Sequence, residues 1–265
     1  MERIYLDDID LCRLSEIRGA DNKESVLFHD KNTVYKIFND LHDYERTRKQ
    51  TKIELLGDGL PLPITVMPKE ELVYGFLNNR FEGNTMDYIK ASKTLYKAFV
   101  KNKNLRVLLP LLIRISKSLE EIHSDPRNIV ISDLHAENII VDKNYNPYIV
   151  DIDSCKIDGI KNDAIPMTLK HYLLNRQLFR SIDETETTTN TDRLCFLMMV
   201  LGLIFNKHID RISMHQYDEV AERIVMLQTM RELVLEIKKS TTIPEVPYFH
   251  EIVKEDDLVL RRTRK

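Results

Sequence analysis

Apolar and polar residues alternate at a two-residue step through much of the first third of the chain. "RLSEIRG" and "ESVLFHD" read as the two arms of a hairpin, and "NTVYKIF" continues as a third strand after the turn chemistry at Asp30 to Asn32. "HDYERTRKQTKIELLGDG" has helical composition and stops at Gly57 and Gly59, as a helix C-terminus does. "LPITVM" and "LVYGFLNNRF" follow as two further strands with "PKEE" as the turn between them, and "NNRFEGN" reads as a linker. Beyond it the apolar positions fall at mixed three- and four-residue steps, so "TMDYIKASKTLYKAFV" and "NLRVLLPLLIRISKSLEEIHS" are expected helices. Two short strands around "DKNYN" come next, then a polar stretch from Ser154 to Thr191. "DRLCFLMMVLGLIF" is apolar nearly all round and is expected in the core. Amphipathic helices and a basic tail, "RRTRK", close the chain. The pattern predicts an α+β protein, β-rich over residues 1–80 and mainly helical over 81–265.

One stretch breaks the pattern. In "NIVISDLHAENIIVDKNYNPYIVDIDSCKI", Asp133, Asn138, Asp151 and Asp153 sit among Ile, Leu and Val. A buried, unpaired charge is expensive, so these groups need caps, cations or metal ions as partners. A hairpin across "DKNYN" brings Asn138 and Asp151 to one mouth of the fold. An amide oxygen with a carboxylate makes an oxygen-only site suited to Mg²⁺, with phosphate and water completing the shell. Asp133, nearby without an obvious cation, is placed to orient or deprotonate a hydroxyl, the division of labour that phosphoryl transfer requires. Taken singly, Asp133 or Asn138 would read as a turn cap. The two spacings together carry the functional reading.

"SDLHAENIIV" followed by "VDID" resembles the catalytic loop and metal-binding motif of the protein-kinase superfamily, H-R-D-x-x-x-x-N and D-F-G. The resemblance extends in order from about Leu14 to Phe205. "TVYKIF" looks like the strand that carries the ATP-contacting lysine, here Lys36. Glu54 in "KIELL" matches that lysine's ion-pair partner, with Glu45 as a rival on the same helix. "LVYGFLNNRFEGNTMDYI" looks like the fifth strand, hinge and following helix. "TDRLCFLMMVLG" resembles the buried helix opened by a structural Asp, here Asp192, which would accept backbone N–H bonds from the catalytic loop.

The resemblance implies a two-lobed kinase-like fold, with a small β-rich N-lobe over 1–80 and a larger helical C-lobe over 81–265. It implies ATP in the cleft, its adenine against a hinge around Asn79 to Phe81, and Gly19 in "RGADNKES" as what remains of a glycine-rich loop. Lys36, held by Glu54, would contact the phosphates. Asn138 and Asp151 would hold Mg²⁺, and Asp133 and Lys36 would be the catalytic pair. The implied activity is ATP-dependent phosphoryl transfer to a protein Ser or Thr.

The chain also departs from the family. Ile131 and Ser132 stand where the family has His and Arg, so strict activation by loop phosphorylation is not expected. D-F-G has become Asp151-Ile152-Asp153, no A-P-E is present, and His135 replaces the loop lysine. "DLHAEN" is also similar to aminoglycoside and choline phosphotransferases, which makes a small-molecule hydroxyl an alternative acceptor. A non-catalytic pseudokinase is the third reading, drawn from the poor glycine loop. Whether residues 154–191 form a peptide platform or fold over a closed pocket discriminates the first two.

Composition changes this picture little. A formal charge of −3 offers no electrostatic case for nucleic acid or an anionic membrane as partner. No apolar run approaches a bilayer span, and "MERIYLDDID" has no signal-peptide character. The 3 cysteines have no metal spacing, and their odd number argues against a disulfide framework, so a cytoplasmic compartment is expected. With 7 glycines in 265 residues, any phosphate-cradling loop must be sparse.

Overall fold

The computed structural model describes residues 1–17, 24–102, 104–177 and 187–254. The chain is of mixed α+β class. Strands β1 (Glu2–Tyr5), β2 (Ser15–Glu16), β3 (Ser25–His29), β4 (Thr33–Phe38), β5 (Pro68–Tyr74) and β6 (Arg80–Asp87) form a six-stranded sheet in the order β1-β5-β6-β4-β3-β2. β1 runs parallel to β5, and every other pair in this sheet is antiparallel. The β3–β4 turn forms as its sequence predicts: Asp30 Oδ1 accepts the backbone N–H groups of Asn32 and Thr33 at 2.8 Å each. On β4 the alternation buries Val34, Lys36 and Phe38 on one face.

The next hairpin differs from the sequence expectation. "PKEE" lies inside β5, and the turn comes at Gly75–Asn79, where Asn78 and Asn79 both take positive φ (57° and 58°). Asn tolerates that region better than most residues, so "NN" was the turn signal. The expected linker at 78–84 is therefore a turn followed by a central strand. The sheet runs on to Asp87, past the expected boundary at 80/81. "LPITVM" contributes only a single bridge, Thr65 to Ile149.

Helix α1 (Asp43–Asp58) packs on β5 and β6, with Gly59 as its C-cap. Ile53 joins Phe38 and Phe81 in a small core, while Leu56 reaches the main one. The expected helix over 85–100 is split: its start belongs to β6, then comes β7 (Lys93–Thr94), and helix begins only at α2 (Leu95–Asn102). The remaining elements are α3 (Leu105–His123), β8 (Ile139–Val141), β9 (Pro147–Ile149), α4 (Met167–Asn175), α5 (Thr189–Phe205), α6 (Met214–Ala221), α7 (Val225–Lys239) and α8 (Phe249–Ile252). α4 falls in the stretch read as polar, yet it buries Leu169, Tyr172 and Leu173. α5 is the buried helix expected, with Leu194, Phe196, Leu197, Val200 and Leu201 in the main core. Thr188 caps its start, accepting the N–H of Thr191 at 3.2 Å.

β7, β8 and β9 form a second sheet. It is tied to the chain beyond α1 by two backbone bonds: Ile149 N–H to the Ile64 carbonyl (2.6 Å) and Val66 N–H to the Ile149 carbonyl (2.9 Å). Those bonds bring the β8–β9 hairpin against the segment that leads into the large sheet. Among the described residues, no helix is long and apolar enough to cross a membrane.

Candidate active site

Lys36 sits in the middle of β4, opposite Leu27 on β3 and Asn84 on β6. Its Nζ donates to both carboxylate oxygens of Asp153 at 2.8 Å each, and to Asp151 Oδ1. Burial favours loss of the lysine proton, but the charges of Asp151 and Asp153 outweigh it and hold the ammonium above its ordinary pKa. The Asp153 carboxyl shows the reciprocal effect. Burial opposes its charge, yet Lys36 first and Lys49 second bring its pKa down to about 2.

The two aspartates meet Lys36 because of the hairpin and the turn after it. β8 and β9 pair Ile139 with Ile149, and the Asn138 carbonyl accepts the Val150 N–H at 2.9 Å. Asn138 and Asp151 are thereby brought to the open end of the hairpin. Asp151 takes a positive φ of 64°, which Asp tolerates, and opens a 3-10 turn over Ile152–Ser154. Ile152, 2% exposed, anchors that turn in the main core.

Asp133 and Asn138 are joined directly: Asn138 Nδ2 donates to the Asp133 carbonyl at 3.1 Å and to its Oδ2 at 3.2 Å. The amide nitrogen is used on Asp133, so it is the amide oxygen that remains for another partner. His135 Nε2 lies 3.6 Å from Asp133 Oδ2. The loop is held from below by Asp192 in the first turn of α5. Its carboxylate accepts the N–H groups of Ile131 (2.7 Å) and Ser132 (2.9 Å) and contacts His123 Nε2 (3.0 Å). His123 Nδ1 lies 2.9 Å from the Tyr248 hydroxyl, a network that assigns the ring proton to Nε2. Ser132, with φ 67°, lies 2.7 Å by its Oγ from Thr187 Oγ1, which donates to Asn162 at 3.0 Å.

Other expected site residues lie elsewhere. Glu54 is not a partner of Lys36. It accepts from Gln50 at 3.5 Å, and its pKa is raised, first by burial and then by the neighbouring Glu71. Its rival Glu45 accepts the His42 N–H at 3.2 Å and so caps α1. What α1 turns toward Lys36 is a cation: Lys49 Nζ lies 3.7 Å from Asp153, and both ammonium groups sit over the Phe38 ring, at 5.2 Å for Lys36 and 4.8 Å for Lys49. Asn79 is exposed at the β5–β6 turn, and Phe81 is buried against Phe38 with ring centroids 5.9 Å apart. Gly19 lies outside the described residues.

No protein-family model matches the chain, and no curated protein matches it either. The reading of the site rests on its own geometry. That geometry includes an apolar cluster the sequence expectation did not contain. Val34, Val66 and Met86 form a separate buried cluster, flanked by half-buried Ile17 and Leu27 from the sheet side and Tyr148 and Val150 from the hairpin. Tyr88 and Ile89, which directly follow β6, pack on it too. Val34 stands two residues before Lys36 on the same face, and Val150 immediately precedes Asp151. A signal existed in the sequence: apolar neighbours of two charged site residues, at strand spacing. The arrangement sets an apolar cluster beside a lysine and two carboxylates, with an amide and a third carboxylate at the hairpin mouth.

Proposed function

We propose that the chain is an ATP-dependent phosphotransferase with a two-lobed, protein-kinase-like arrangement: the sheet with α1 as the small lobe, the helical body as the large one, and a cleft between them. The observation that carries the reading is the Lys36–Asp151 contact, made between residues 115 positions apart, beside the bonded pair Asn138–Asp133. The cluster around Val34, Met86 and Val150 supplies an apolar surface of the kind an adenine ring packs on, and Tyr88–Ile89 replaces Asn79–Phe81 as the proposed hinge. Lys36 would then reach the phosphates.

The donor set fits a magnesium ion. Asp151 is the accessible carboxylate of the pair around Lys36, its side chain 35% exposed, and Asn138 adds an amide oxygen. Two protein oxygens with phosphate and water suit the hard, partly hydrated coordination of Mg²⁺. When bound, the ion neutralises phosphate charge. The chain's own residues do the rest. Asp133 orients the acceptor hydroxyl and receives its proton. Asn138 fixes the Asp133 carboxylate by an amide N–H bond, and Asp192 fixes the loop that carries both. Catalysis of this kind is mainly positioning and charge stabilisation.

A Ser or Thr hydroxyl of a protein is the proposed acceptor. Residues 178–186, in the segment that would distinguish a peptide platform from a closed pocket, lie outside the described residues. The test is phosphate transfer from ATP with Mg²⁺, comparing wild type with Asp133→Asn and Asp151→Ala. Transfer to a protein, lost in both variants, supports the reading. Slow ATP hydrolysis without protein labelling, lost in both, moves the acceptor to a small hydroxyl compound. Nucleotide binding without turnover in the wild type would leave a binding module instead of an enzyme.

A further inference from the structure

Lys36 has two carboxylate partners that differ in what else can reach them. The Asp151 side chain is 35% exposed, the Asp153 side chain 4%. An accessible carboxylate can exchange a lysine for a ligand cation, because water and the new ion share the change in charge. A buried one cannot release its cation without stranding both charges. We propose that Asp153 is the positioning residue for Lys36, the group that keeps the ammonium in place when Asp151 turns to another ligand, and that α1 secures Asp153 through Lys49 instead of supplying an acid of its own. The inference rests on the phosphotransferase reading above.

Charges on α1 support this inversion. Its two glutamates are engaged elsewhere, Glu45 at the cap and Glu54 beside Glu71. Its inward side carries Arg48, Lys49 and Lys52, which converge on Asp163 at 2.7, 3.3 and 3.1 Å. Signs therefore alternate through the interior, from Lys36 to Asp153, Lys49, Asp163 and Lys52. Asp153 is the member that touches both β4 and α1. It lies on the same 3-10 turn as Asp151, pinned in the core by Ile152. Lys36 and Asp151 are thus registered against each other through two residues of one turn. The lysine keeps its place without an acid from α1, and loosening that helix disturbs it only indirectly.

The experiment measures KM for ATP and kcat in the presence of Mg²⁺ for wild type, Asp153→Asn, Asp153→Glu, Asp163→Asn and Lys49→Met, each at a temperature where circular dichroism shows it folded. Losing a hydrogen bond to a charged group is worth about one to two decades in binding. Asp153→Asn is expected to raise KM about tenfold or more, with a smaller change in kcat. Asp153→Glu, which restores the charge, recovers part of that loss. Asp163→Asn removes a carboxylate from the same cluster without touching Lys36 and leaves KM within about threefold of wild type, whereas Lys49→Met, which takes from Asp153 its hold on α1, raises KM in the same direction as Asp153→Asn but by less. Should Asp153→Asn fail to fold, Asp153→Glu against Asp163→Glu makes the same comparison, with KM raised only in the first. Unchanged KM in the Asp153 variants overturns the inference, and so does an equal rise in the Asp163 variants, which would mark both as structural. A wild type that neither binds nor turns over ATP defeats the phosphotransferase reading itself and is recognised before any variant is made.

Discussion

The two halves of the site are held by different forces. Around Lys36 the order comes from side-chain charges: two lysines of opposite origin, β4 and α1, share the buried carboxylate of Asp153, and Asp163 gathers three cations behind them. Around Asp133 it comes from the main chain. One carboxylate, Asp192, accepts two consecutive backbone N–H groups and so fixes the path of the loop, whatever side chains the loop carries. The first arrangement can be altered one charge at a time. The second is closer to all-or-none, because without Asp192 two buried N–H groups and a histidine lose their acceptor together. The two bonds to Asp192 use only the backbone of Ile131 and Ser132, and the Ser132 hydroxyl adds a contact of its own to Thr187.

The sharpest way to break the comparison is Asp192→Ala. Removing a buried charged acceptor from three donors is expected to cost roughly 3–5 kcal/mol in denaturant unfolding and to abolish any phosphate transfer. Asp163→Asn comes next. An amide still accepts hydrogen bonds but takes the counter-charge from Arg48 and Lys52 and leaves Lys49 with Asp153 alone, so a loss on the order of 2–3 kcal/mol is expected, with transfer retained in the folded fraction. If Asp163→Asn proves as damaging to transfer as Asp192→Ala, the two halves are not independent and the contrast fails.

Acid separates the halves more gently. The folded pKa of Asp153 is lowered to about 2, so its contribution to stability is complete above the ordinary aspartate value near 4. It is lost as pH falls through that window toward 2. Comparing wild type with Asp153→Asn by thermal unfolding between pH 5 and 2.5 should show their difference shrinking as pH drops; a constant difference would deny the ion pair its role. The smallest effect is expected at Glu54. Its pKa is raised by burial and by Glu71, so the protonated form is favoured in the fold and its contribution fades as pH rises through the raised value. Glu54→Gln mimics that form and should stabilise the protein by about 0.5 kcal/mol at neutral pH, less in acid. A loss on that substitution would mean that the Glu54 charge has a partner after all.

What was legible in the sequence was local. Asp133, Asn138 and Asp151 lie on one hairpin and its flanks, so spacing alone brings them together; Lys36 was picked out by the resemblance of "TVYKIF", and strand alternation turns it inward. Asp192 came from the resemblance of "TDRLCFLMMVLG" to a buried helix opened by a structural Asp, and its carboxylate does accept the Ile131 and Ser132 N–H groups. The failures depended on packing. Which face of α1 turns inward is set by the sheet beneath it, and a helix with buried Lys49 and Lys52 shows no apolar stripe to reveal that face. Glu54 was therefore chosen by its distance along the chain, and it was the wrong residue. Asn79 and Phe81 were misplaced because the β5–β6 turn is made by two asparagines in the left-handed region, while the charged "PKEE" looks like a turn but lies in a strand. That one shift in register placed the expected hinge at the hairpin tip and hid the apolar cluster that Tyr88 and Ile89 join. α4 was missed because its apolar residues are interrupted by polar ones.

The central claim is that Lys36, Asn138 and Asp151 surround a site for a magnesium-bound nucleotide. Isothermal titration calorimetry with a non-hydrolysable ATP analogue, with and without Mg²⁺, tests it most directly. Binding that strengthens with Mg²⁺, loses that dependence in Asp151→Ala and persists in Asp133→Asn is the predicted result. A wild type that binds no nucleotide, or one whose binding ignores both Mg²⁺ and Asp151, would contradict it.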